Sequence, residues 1–176
     1  MKNLVIIGLL AFIAISANVP NETKIGYVYM EMVMNNMPEA KEMMLIVDKF
    51  SAEKQAEVEK KNAIFVQKSE AFQKKSQSGE LTEAGKIIAQ NELISMRQGL
   101  EQLVSANEQE LYAKRGELLS PIAKKLEKAM DEVAALKGYR YVFSSADGTG
   151  NSIIIVAPEA DDLTQEVMKH LGIELK

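Results

Sequence analysis

The chain has 176 residues, 47% of them apolar and 26% charged, with no cysteine, no tryptophan and one histidine. Such a composition is neither disordered nor polytopic membrane, and it excludes disulfides, thiolate metal sites, thiol nucleophiles and a lipid-modified cysteine. With 21 basic and 25 acidic side chains the net charge is −4, which argues against a nucleic-acid binder, and the scarcity of histidine argues against an enzyme.

Lys2 precedes an apolar run, Leu4 to Ile15, broken only by Gly8 and followed by the small residues Ser16 and Ala17. A run of about 12 residues is too short for a hydrocarbon core of about 30 Å, so residues 1–17 predict a secretory signal cleaved after Ala17. Ile15 departs from the small residue usual three positions before such a cut. Loss of Lys2 makes the mature charge 20 − 25 = −5. Asn21-Glu22-Thr23 has the form of a glycosylation sequon and is read as a chance match in the N-terminal tail.

Lys24 to Tyr29, rich in β-branched and aromatic residues, predicts a strand. After Pro38 no proline occurs until Pro121, and the composition turns to Glu, Lys, Gln, Ala, Leu and Met, the strong helix formers. Ser76 to Thr82 interrupts this stretch: Gly79 suits a helix stop, and Thr82 followed by Glu83 suits a helix start. Two helices of about 60 Å each, joined by a tight turn, predict an antiparallel hairpin arm. Its ascending stripe reads Ala40, Met43, Val47, Phe50, Lys54, Val58, Lys61, Phe65, Lys68 and Phe72. The descending one reads Leu81, Ala84, Ile88, Leu93, Met96, Leu100, Leu103, Asn107, Leu111 and Leu118. Lysines interrupt the first stripe, and Gly85, Gly99 and Gly116 interrupt the second helix. Two readings stand: an ordinary two-stranded coiled coil, or an arm that bends at Gly85, Gly99, Gly116 and Pro121 with apolar side chains only partly committed to the seam.

Ser120-Pro121 is either the start of a new helix or a kink in a continuous one. Ile122, Leu126, Ala129, Met130, Val133 and Leu136 form a helical stripe that stops at Lys137-Gly138. Tyr139 to Ser144 predicts a strand, Ala146 to Asn151 a turn, and Ser152 to Ala157 another strand, apolar on both faces and closed by Pro158. Asp162 with Gln165 predicts a capping box opening a last helix that ends near Leu171-Gly172. The fold class is therefore α+β: a helical-hairpin arm, residues 39–118, inserted between body segments 24–38 and 119–176. Three short strands make a poor independent sheet, so the body is expected to oligomerise, with Ile25, Tyr27, Tyr141, Phe143, Ile153 and Ile155 in or next to subunit contacts.

No catalytic, cofactor-binding or metal-binding residue is assigned. His170, near a helix end, is read as a capping or surface group. Asp147-Gly148-Thr149-Gly150 lacks the Gly-Lys-Ser/Thr of a phosphate loop and is read as a hairpin turn. Glu159, Asp161 and Asp162 are read as helix-capping acids. Six methionines between Met30 and Met44 either pack the joint between body and arm or form an adaptable surface.

The ordered set Lys24-Ile25-Gly26-Tyr27-Val28, Leu118-Leu119-Ser120-Pro121-Ile122, Lys137-Gly138-Tyr139-Arg140-Tyr141-Val142-Phe143 and Asn151 to Ala157 with Asp162-Leu163-Thr164 resembles the Skp (OmpH-like) family of periplasmic chaperones. The resemblance implies a jellyfish-shaped homotrimer that encloses unfolded outer-membrane proteins in the periplasm without ATP or any cofactor, touching membrane surfaces only indirectly. Prefoldin, with arms at its chain ends and strands in the middle, has the opposite topology. Familiar members are basic, whereas the arm here, Glu39 to Leu119, carries 12 basic and 14 acidic residues, 12 − 14 = −2. Client capture is therefore expected to rest on apolar side chains, with Phe65, Phe72, Leu81 and Ile88 as the candidates. The alternative is an envelope coiled-coil protein without clients.

Overall fold

The computed structural model describes residues 23–147 and 151–174. The expected signal segment, Asn21 and Glu22 of the sequon, and Gly148 to Gly150 of the expected turn lie outside the described residues. In chain order the elements are β1 (Ile25–Val28), α1 (Met30–Asn36), α2 (Pro38–Gln77), α3 (Glu83–Lys137), β2 (Tyr141–Ser144), a 3-10 turn (Glu159–Asp161) and α4 (Thr164–His170). This is the α+β arrangement expected, with a helical hairpin between strands from the two ends.

Local chemistry sets the hairpin's limits. Pro38 opens α2 with Glu39 in its first turn, and Lys74 and Lys75 occupy the last turn, each charge opposing the helix dipole. Gly79 takes φ +75°, the left-handed conformation that stops the helix cheaply only at glycine. Thr82 caps α3 by accepting the Gly85 N–H at 3.1 Å through its hydroxyl. At the far end Gly138, again at φ +75°, lets Tyr139 N–H reach the Ala134 carbonyl at 2.9 Å.

Pro121 neither ends α3 nor starts a helix. It lies inside one continuous 55-residue helix, about 80 Å long at 1.5 Å per residue. An internal proline costs about 3 kcal/mol. Here the apolar row passes through it in phase: Leu111 and Leu118 in the arm are followed by Ile122, Leu126, Ala129 and Val133, all four buried in the body. Burial of those four side chains offsets the lost hydrogen bond.

β1 and β2 pair in parallel, Ile25 with Tyr141 through Val28 with Ser144. The core lies beneath them, where Val28, Val33, Met37 and Ala40 meet Ile122, Leu126, Val133 and, from the C-terminal segment, Leu163, Val167 and Met168. Met37 is buried and Met30, Met34 and Met43 pack against this core, so four of the six clustered methionines serve the joint between body and arm; Met32 and Met44 remain exposed.

Two expectations are corrected. Ser152 to Ala157 forms no strand: Ser152 makes one isolated antiparallel bridge to Ala146, and Ile153 and Ile154 donate to the Ser145 carbonyl. A strand needs a neighbouring backbone, and among the described residues none pairs with the chain beyond Ile154; Ile155 and Val156 are each 90% exposed instead of buried on both faces. The second correction concerns α4. Asp162 accepts from the N–H and hydroxyl of Thr164, a tight turn two residues long, and α4 begins at Thr164 without the capping box expected from Gln165.

Candidate functional site

Two surfaces stand out, one on the body and one along the arm. On the body, the pleat places Ile25, Tyr27, Tyr141 and Phe143 on one face of the sheet, because paired residues share a face. Ile25, Tyr141 and Phe143 are exposed, and Ile153, Ile155 and Val156 extend the apolar surface from the end of β2. Tyr27 differs: it is 7% exposed within the single chain, edge-on to the Tyr29 ring at 5.6 Å, and burial pushes its phenol pKa up. The opposite face turns inward and is tightly filled. A Cβ at Gly26 would stand 2.9 Å from Leu163 Cδ1, 3.0 Å from Tyr139 Cδ1 and 3.2 Å from the Asp161 carbonyl oxygen.

Along the arm, Val47 is buried, and Phe50, Val58, Phe65 and Phe72 of α2 are half-buried against Leu81 of the turn and Leu93, Met96, Leu100, Leu103 and Leu111 of α3. Phe65, Phe72 and Leu81 thus lie in the seam. Ile88 does not; it is 69% exposed. Ala84 is exposed as well, and Gly85 and Ala89 occupy the seam positions expected of Ala84 and Ile88. Over the first two turns of α3 the seam lies one residue later than the 3-4 stripe predicts. Gly99 and Gly116 lie on the outside of the helix, where an added Cβ meets nothing within 4 Å, and α3 continues unbroken through both.

The two edges of the hairpin differ chemically. All ion pairs that bridge α2 and α3 among the described residues, Glu39–Lys125, Lys54–Glu110 and Lys68–Glu92, fall on one edge. The Lys125 ammonium holds the Glu39 carboxyl below the usual carboxylate range. Ile46, Ile64 and Ile88 are exposed beside them. On the opposite edge, helical phase aligns Met44 and Val66 of α2 with Ile94, Val104, Tyr112 and Leu119 of α3, all exposed. Apart from Met44, which sequence reasoning groups with the clustered methionines, these residues escape it because they sit off the 3-4 stripe; only the relative rotation of the two helices puts them together.

His170, at the end of α4, contacts Glu132 of α3 at 2.6 Å, and Lys137 pairs with Glu166 at 2.9 Å, so a hydrogen bond and an ion pair tie α4 to α3. Among the described residues no group of three His, Cys, Asp or Glu side chains is placed to hold a metal ion, and no helix is long and apolar enough to cross a membrane.

No curated protein matches the chain. A model of the outer membrane protein (OmpH-like) family matches residues 24–171, a span that takes in both strands, the whole arm and α4. The chain belongs to the OmpH-like family.

Proposed function

We propose that the protein is an ATP-independent holdase of the periplasm that encloses unfolded outer-membrane proteins and prevents their aggregation. OmpH-like proteins are associated with periplasmic chaperones of outer-membrane proteins. The observation that carries the reading is the arm: a helical hairpin about 60 Å long, anchored at one end only, with unpaired apolar side chains on both edges. A hairpin serving only as a rod would keep its large apolar residues in the seam. Here they are distributed for contact with something else.

Each side chain fully covered by a client contributes about 1.5 to 3 kcal/mol before ordering costs, so a single arm binds weakly and several arms around one client bind tightly. We assign assembly into a homotrimer to the exposed body face, through Ile25, Tyr141, Phe143, Ile153 and Ile155, with Tyr27 on the same face already covered within the single chain. Client contact falls to Ile88 and to the edge bearing Val66, Ile94 and Val104. Phe65, Phe72 and Leu81 reach a client where the helices part. The signal over residues 1–17 delivers the chain to the periplasm.

The test is mass measurement of the mature protein with and without an unfolded barrel protein, together with the barrel's aggregation by light scattering. A trimer that gains one client mass and suppresses scattering is expected. A trimer that leaves scattering unchanged would make the protein an envelope coiled coil without clients.

A further inference from the structure

We propose that the layer formed by Lys54, Asn107 and Glu110 is the joint at which the arm flexes. Along α3 the seam runs Leu100, Leu103, Asn107, Leu111, so one amide interrupts a row of leucines. Asn107 is 8% exposed and is the one buried polar side chain of the arm among the described residues; Ser145 and Thr164, the others, belong to the body. Its Nδ2 donates to the Lys54 carbonyl at 3.3 Å, a long bond. Facing it, α2 places Lys54 in its own apolar row between Phe50 and Val58. The Lys54 ammonium pairs with Glu110, whose hydrogen bond pushes the lysine pKa up, and stands 5.2 Å from the centre of the Phe50 ring. On the other edge of the same layer a cavity of about 160 Å³ opens between Ser51, Val58, Val104 and Asn107.

At this level the arm therefore has an ion pair on one edge, a long amide bond in the middle and unfilled space on the other edge. Leucine layers lose their contacts outright when the helices separate. The Lys54–Asn107 layer instead exchanges its partners for water, which serves an amide, a carbonyl and two charges almost equally well. Below it Phe50 and the buried Val47 carry the apolar row into the root, where a cavity of about 300 Å³ also opens between Met43, Ile46, Leu118 and Ile122, so the buried amide rather than the unfilled space sets this layer apart. Above it, the last 23 residues of α2 form a distal section about 35 Å long that leans while the root stays closed. Gly99 takes no part, since it lies on the outside of α3 and touches neither α2 nor the cavity.

Hydrogen–deuterium exchange of the mature protein alone tests this, corrected for intrinsic amide rates. Amides of residues 51–58 and 104–111 should exchange about tenfold faster than those of 43–50 and 115–122 in the root and 93–100 beyond the joint. Asn107→Leu should slow 104–111 to the rate of its flanks and raise the melting temperature, whereas Gly99→Ala should leave 104–111 unchanged. Lys54→Leu, acting on the facing helix, should slow 51–58 in the same way and serves if Asn107→Leu alters assembly. Even exchange along α3 in the unmodified protein overturns the proposal, and so do unchanged local rates in both variants. No client enters the assay, so failure of the holdase reading leaves the joint standing and the reverse also holds.

Discussion

Replacing Gly26 with alanine adds one methyl group at the most crowded point of the body. The new Cβ would stand 2.9 Å from Leu163 Cδ1, 3.0 Å from Tyr139 Cδ1 and 3.2 Å from the Asp161 carbonyl oxygen. None of the three retreats easily. Leu163 is buried and its N–H donates to the Tyr27 carbonyl at 2.9 Å; Tyr139 is held by a 3.0 Å bond from its hydroxyl to Asp161, and the third neighbour is backbone. Overpacking of this kind costs about 1 to 3 kcal/mol, and the smaller unfolded-state entropy of alanine returns about 0.4 to 1, so a net loss centred on about 1.3 kcal/mol is expected. At about 2 to 4 °C per kcal/mol for a chain of this size, the melting temperature should fall by roughly 3 to 5 °C. Gly99→Ala provides the contrast. Its methyl meets nothing within 4 Å and replaces a helix-interior glycine, so it should stabilise by up to about 1 kcal/mol. Thermal melts by circular dichroism at one fixed protein concentration compare the two, since assembly makes the midpoint concentration-dependent. Equal or higher stability for Gly26→Ala would refute the packing argument.

A charge at Ile155, through Ile155→Asp, should shift the assembly towards monomer by leaving an unpaired ion in a covered apolar face; sedimentation at micromolar concentration reads it, and a well-folded monomer of the unmodified protein would refute the face as an assembly surface. Val104→Ser should weaken suppression of barrel aggregation with little change in melting temperature, whereas Phe72→Ser, in the seam, should lower both. Salt at about 0.5 M should leave capture nearly intact, because screening affects charge steering far more than apolar contact; strong inhibition would assign capture to the lysines. Glu39 and Glu166 are held below the ordinary carboxylate value of 4.5 by Lys125 and Lys137. A depressed folded value stabilises above the unfolded one and is lost as pH falls through the folded value, so the urea midpoint should drop below about pH 4.5, less steeply in Glu39→Gln. All these side chains are more than a third exposed, which keeps the effect small.

Where a residue acts on its own backbone, the sequence was sufficient. Gly79, Thr82 and Gly138 mark helix ends because φ and a hydroxyl cap are local properties, and the apolar row from Ile122 to Val133 marks the buried face of α3 because burial follows helical phase. Pro121 was ambiguous because the decision rests on burial many residues further on. Ser152 to Ala157 has the composition of a strand, yet a strand also requires an adjacent backbone, which composition does not report. At the arm, Ile88 and the edge from Met44 to Leu119 depend on how α2 and α3 are rotated about each other. That rotation is a tertiary quantity, and a stripe drawn on one helix leaves it undetermined.

The pairing of β1 with β2 has a consequence for the order of folding. Arg140 N–H bonds to the Lys24 carbonyl at 3.0 Å, and Leu163 N–H to the Tyr27 carbonyl at 2.9 Å, so the first strand made is completed by residues made more than a hundred positions later. The arm between them needs only contacts across its own turn and zips locally. During synthesis β1 therefore waits with both edges open while the hairpin forms, and closure of the hairpin then carries Tyr139 back beside Lys24 and shortens the loop that the sheet must close. A chain cut after Lys137 would keep its arm and lose its body, exposing the sticky strand that the last 39 residues are there to cover.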